Sequence, residues 1–124
     1  MLLNESAQNY LETIYILSQQ LPVVRAIDIV TELDYKKSSV SVALKNLREQ
    51  HYLTVSSAGY ITLTETGLDI AKQLYERHVT LTSFLESLGV NANVAAEDAC
   101  KIEHIISEES FQAIKHHLAQ TRSL

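Results

Sequence analysis

A mainly α-helical chain with one small β-hairpin is the fold class this sequence predicts, and three observations predict it. One Pro and three Gly punctuate 124 residues, which argues for long helices and few loops. Apolar residues recur at helical spacing on both sides of Leu53–Leu63, and within that stretch they alternate with period two. A helix with a polar, cationic outer face stands immediately before the alternating stretch.

Residues 5–19 read as the first helix, with Leu11, Ile14, Tyr15 and Leu17 at helical spacing and Gln20-Leu21-Pro22 ending it. Asn9 and Glu12, three apart, project from the same side of it. Arg25–Leu33 is a second, shorter helix, followed by the brief turn Asp34-Tyr35-Lys36. Lys37-Ser38-Ser39 opens a third helix running to about Gln50, whose inward stripe is Val40, Leu44 and Leu47. Its opposite stripe, Ser38, Ser41, Lys45 and Arg48, holds hydroxyls and cations only, which suits phosphate oxygens and base edges. Leu53 and Val55 then pair with Ile61 and Leu63 around the turn Ser56-Ser57-Ala58-Gly59. Helix, short turn, helix with a polar outer face and hairpin is the order of a winged helix-turn-helix, so residues 1–63 are expected to read DNA.

Thr64 is a good N-cap for a long helix over 65–88, stopped by Gly89, with a buried stripe of Ala71, Leu74, His78, Leu81, Leu85 and Leu88. The next helix, about 94–105, is expected to return antiparallel, and Ser107 caps a last one with Glu108 and Glu109 in its first turn. His116 and His117 suit the C-terminal end of that helix's dipole better than a metal. Residues 64–124 thus form a second, helical region.

Net charge is −5, yet Tyr35–Arg48 holds four cations (Lys36, Lys37, Lys45, Arg48) and no acid, while Thr64 onward holds nine of the fifteen acids. An acidic body with one basic segment suits a protein whose single helix approaches phosphates. One Cys excludes an internal disulfide and suits a reducing compartment. The N-terminus lacks a secretory pattern and no apolar run approaches the length of a membrane span, so a cytoplasmic protein without membrane association is expected.

Within 97–104, Cys100, Glu103 and His104 stand at i, i+3 and i+4 and share one helical face. Thiolate, carboxylate and imidazole together form the donor set of a late first-row transition ion. Ten residues separate His78 from Leu88 and twelve separate Leu88 from Cys100, so an antiparallel return brings His78 to the height of Cys100 and His104.

Several spaced motifs in one order resemble the DtxR/MntR family of metal-dependent repressors. They are Asn9-Tyr10-Leu11-Glu12-Thr13-Ile14-Tyr15, Lys37-Ser38-Ser39-Val40-Ser41, Leu63-Thr64-Glu65-Thr66-Gly67, Arg77-His78 and Ala99–Ser107. The similarity spans Asn9 to about Leu118, and the chain stops without the SH3-like domain of the longer iron-type members, like the short manganese-type ones. The resemblance implies a helical metal-binding and dimerisation domain over 64–124 and a metal site at Asn9, Glu12, His78, Cys100, Glu103 and His104. Asn9 stands where relatives carry Asp or Met and is a weaker oxygen donor. Cys100 stands where manganese sensors carry Glu and iron sensors Cys. Thr82 and Ala96 occupy two positions of the iron-type ancillary site, so one ion per subunit is expected, with Glu12 leaving room for a second.

A thiolate moves preference away from Mn²⁺, and availability in cells favours Fe²⁺ over Zn²⁺, so Fe²⁺ is the expected ion and Mn²⁺ the alternative. The implied function is a transcriptional repressor of metal homeostasis that binds a palindromic duplex operator as a metal-loaded homodimer. Lys36, Lys37, Ser38, Ser39, Ser41, Lys45 and Arg48 are its expected DNA contacts. The rival is a redox-sensing regulator that uses Cys100 without metal. An enzyme is not expected, because neither His-Glu-x-x-His nor a nucleophile elbow is present.

Overall fold

The computed structural model describes residues 3–122, in the order α1 (Glu5–Gln20), α2 (Ala26–Leu33), α3 (Lys37–Glu49), β1 (Leu53–Val55), β2 (Ile61–Leu63), α4 (Glu65–Ser87), α5 (Ala92–Ile102) and α6 (Glu108–Arg122). The chain divides into two compact units, one ending at Lys72 and the other starting at Gln73.

In the first unit, Asn4 starts α1 by accepting the Ala7 N–H on its side-chain oxygen at 2.8 Å. Leu21 ends it in an extended conformation, as a residue before proline prefers. The Asp28 carboxylate accepts the Arg25 N–H at 2.8 Å and starts α2. Asp34 then takes a left-handed conformation (φ 55°) that turns the chain into α3. Val40, Leu44 and Leu47 of α3 join Tyr10, Leu11, Ile14 and Leu17 of α1 and Ile29 of α2 in one buried apolar cluster. Leu53 and Ile61 extend that cluster into the hairpin. This burial makes α1–α3 a single body.

The strands pair antiparallel with Leu53 opposite Leu63 and Val55 opposite Ile61, as the alternation requires. Gly59, at φ +84°, supplies the hairpin turn, and the Ile61 N–H donates to the Val24 carbonyl at 2.8 Å, tying β2 to the α1–α2 connection. Thr64 anchors the start of α4. Its hydroxyl donates to the His51 carbonyl at 2.8 Å and accepts from the Gly67 N–H at 3.2 Å. Gly67 faces the Tyr52 carbonyl oxygen so closely that a Cβ there would collide with it.

The second unit buries Leu74, Leu81, Ala95, Ala99, Phe111 and Leu118. Asn91 caps α5 by accepting the Asn93 N–H at 2.9 Å, and Ser107 caps α6 by accepting the Ser110 N–H at 3.1 Å. Two expectations need correction. Leu88 is 63 % exposed rather than part of the buried stripe, because α4 ends at Ser87 and Leu88 lies in the turn before Gly89, whose φ is +96°. And α5 ends at Ile102, three residues before the expected end.

Candidate DNA-reading face and metal centre

The reader is built on α3, whose apolar stripe must face the core, so the rest of the helix turns outward. Lys36, Lys37, Ser38, Ser39, Ser41, Lys45 and Arg48 are all exposed. Lys36 supplies no side-chain cap and the first turn of α3 holds no acid, so no carboxylate competes there with an approaching phosphate. The outer face is not made of hydroxyls and cations alone, as expected, because Val42 stands 60 % exposed among them. Arg25 is a further cation that the charge run does not contain. Its Nη2 donates to the Tyr60 hydroxyl at 3.2 Å, with the guanidinium 4.9 Å from the ring centre, so the start of α2 carries a charge held against the wing.

Of the expected ligands on α1, Asn9 is half-buried and Glu12 is buried. A carboxylate in the middle of a buried helix face is costly to keep without compensation.

In the second unit the chain brings His78, Glu103 and His104 together. His78 Nδ1 lies 3.8 Å from Glu103 Oε2, and His104 Nε2 lies 3.6 Å from Glu103 Oε1. Glu103 is 1 % exposed and the His104 side chain 2 %. Burial pushes the His78 imidazole below its ordinary value of 6.5, so it is neutral near pH 7 and keeps a lone pair for a ligand. Its Nδ1 is buried and has no hydrogen-bond partner among the described residues. The two separations exceed a hydrogen bond, yet two donors each about 2.0–2.2 Å from one shared ion can stand up to about 4 Å apart. The donors and their spacing therefore fit a divalent transition ion. Cys100 is exposed, one turn earlier on α5. The hydroxyl of Thr82 donates to the His78 carbonyl at 2.7 Å, and the side chain at 96 is the methyl group of an alanine.

Arg77, the neighbour of His78 on α4, explains the early end of α5. Its Nη1 donates to the carbonyls of Glu103 (3.2 Å) and Ile106 (2.8 Å), and its Nη2 to Glu108 Oε2 (2.9 Å). The guanidinium takes a carbonyl that a continuing helix would use. Meanwhile the N–H groups of Ile105 and Ile106 both return to the Ile102 carbonyl. Glu103 is the helix cap, still in a helical conformation with its N–H on the Ala99 carbonyl at 2.9 Å, and His104 falls in the turn that follows. Hydrogen bonds from Gln112 and Arg77 hold the Glu108 carboxyl below its usual range, so this anchor is charged at neutral pH.

With a helix-turn-helix, a wing and a His-Glu-His cluster in place, likeness to known proteins decides the family. Residues 2–60 match the N-terminal DNA-binding domain of the iron-dependent repressors, and residues 64–123 match their metal-binding and dimerisation domain. The chain belongs to the iron-dependent repressor family. It is 33 % identical over 115 residues to an HTH-type transcriptional regulator of Methanocaldococcus jannaschii, covering 91 % of this chain and 92 % of the relative. It is 35 % identical over 109 residues to the HTH-type transcriptional regulator MntR of Listeria welshimeri, covering 88 % of this chain and 77 % of that protein. Among solved structures, a manganese-dependent transcriptional repressor in complex with manganese superposes with a TM-score of 0.83 at 26 % identity, over 91 % of this chain. This chain spans about half of that one, 52 %. As a member of the DtxR/MntR group the chain is a metal-dependent transcriptional repressor and not an enzyme, with a winged helix-turn-helix followed by a helical domain. The metal-binding domain supports the metal reading over the Cys100 thiol sensor. Among the described residues no helix is long and apolar enough to cross a membrane.

Proposed function

We propose that this chain is a cytoplasmic homodimer that grips a near-palindromic operator when a divalent transition ion is bound by Glu12, His78, Glu103 and His104, with Cys100 and Asn9 as further candidate ligands. The observation that carries this reading is the buried Glu103 carboxylate set between two imidazoles, one of them neutral and with its Nδ1 unbonded. A bound cation supplies the positive charge that holds these donors to one point and so couples the reader to the helices of residues 65–105. Fe²⁺ is the ion we choose with Cys100 in the ligand set, since a thiolate ligand disfavours Mn²⁺. Mn²⁺ is the alternative, favoured by similarity to MntR and to the manganese-bound repressor.

On the DNA side, Ser38, Ser39 and Ser41 meet base edges and phosphates, and Lys36, Lys37, Lys45 and Arg48 hold the backbone. A twofold dimer requires half-sites about one helical turn, roughly 10 bp, apart. Large apolar side chains left exposed in the second unit (Val79, Leu88, Val94 and Ile105) support burial against a second copy. Metal and operator should strengthen each other's binding by about 1–3 kcal/mol. The test is fluorescence anisotropy on a duplex selected by the metal-loaded protein. Affinity should drop in chelator and return with Fe²⁺ or Mn²⁺, and an affinity indifferent to both would end the proposal.

A further inference from the structure

We propose that Arg77 is a positioning residue for the metal centre, holding the 103–107 turn so that Glu103 and His104 already stand beside His78 before an ion arrives. This rests on the ligand reading above. Arg77 and His78 are neighbours on α4, and between them they address both ends of Glu103. Arg77 takes its backbone carbonyl at 3.2 Å, and His78 Nδ1 faces its carboxylate at 3.8 Å. The same guanidinium takes the Ile106 carbonyl and the Glu108 carboxylate, at 2.8 and 2.9 Å, and lies 5.4 Å from the ring centre of the buried Phe111.

Guanidinium donors are fixed in a planar fork. Meeting two carbonyls and a carboxylate at once therefore sets where the turn and the start of α6 stand relative to α4. Glu103 is then presented as a helix cap instead of continuing α5, and its carboxylate is aimed before binding, which lowers the ordering cost of taking up an ion. A lysine ammonium, three rotatable donors on a flexible stem, lacks the planar fork that fixes the three acceptors relative to one another.

The experiment uses the full chain with Co²⁺ as the probe, read by its visible ligand-field spectrum and by titration against a competing chelator. Wild type is compared with Arg77→Lys and Arg77→Met. Co²⁺ affinity should drop roughly 10–100-fold in both variants, the usual cost of losing a group that orients a ligand. Their ligand-field bands should shift, which a loss of stability alone would not cause. Variants with wild-type affinity and bands overturn the inference. Should neither variant fold, amide exchange in the metal-free wild type decides: protected N–H groups at Glu103, Ile105 and Ile106 support a pre-ordered turn, and unprotected ones overturn it. Wild type that takes no Co²⁺ overturns the ligand reading and this inference with it, whereas variants matching a wild type that binds overturn this inference alone.

Discussion

His78 Nδ1 stands 3.8 Å from Glu103 Oε2, twenty-five residues later in the chain, too far for a hydrogen bond and close enough for both to serve one ion. In that role the Glu103 charge is necessary to the loaded site. Glu103→Gln keeps the shape of the side chain and removes its charge, so without metal the variant should still fold. With metal, its affinity should fall by more than the roughly 10–100-fold typical of an outer-shell loss. Calorimetry of both states checks this; a variant that is destabilised without metal yet binds normally would show a purely structural Glu103.

The lowered pKa of His78 has a pH consequence whose sign follows from which state protonates first. Burial keeps the folded imidazole neutral, so as pH falls through about 6.5 the unfolded chain takes up the proton before the folded one. This stability contribution is fully present above about 6.5 and is lost as pH falls from there through the lower folded value. Melting of the metal-free chain between pH 7.5 and 5, about one to two units either side of the ordinary imidazole value, should decline more steeply for wild type than for His78→Asn. Equal slopes would mean that His78 is not the group responsible.

Lys45 and Arg48 are assigned to phosphates and not to the ion. Replacing each with Ala should lower the slope of log affinity against log salt by about 0.9 and leave metal affinity unchanged. Anisotropy titrations at several salt concentrations check this, and an unchanged slope removes the residue from the interface.

Gly67 has a steric reason to be glycine. Gly67→Ala should cost about 1–3 kcal/mol, because the added methyl group meets the Tyr52 carbonyl oxygen and forces the start of α4 away from β1. Urea unfolding of the metal-free chain measures this directly.

The reader was largely legible because its cues are local. Pro22 and Gly59 each sit within a few residues of the turn they make, and the alternation of Leu53–Leu63 excludes a one-residue slip of the strands. The candidate centre was legible in composition but not in geometry. Helical periodicity carried α5 through to residue 105, and nothing near residue 103 in the sequence says otherwise, since the group that ends the helix is Arg77, twenty-six residues earlier. A long-range side-chain bond of this kind leaves no periodic trace. The one available signal was an arginine next to the expected ligand His78. Val42 is different: at 100° per residue it falls about 200° from Val40, so the helical period already places it on the outward face, where it is exposed.

The most direct measurement of the central claim is an anomalous difference map from a crystal of the full chain loaded with Fe²⁺ or Mn²⁺, collected at that metal's absorption edge. A peak bounded by His78 Nδ1, the Glu103 carboxylate and His104 Nε2 is expected. A peak placed elsewhere, or none at full loading, would contradict the claim.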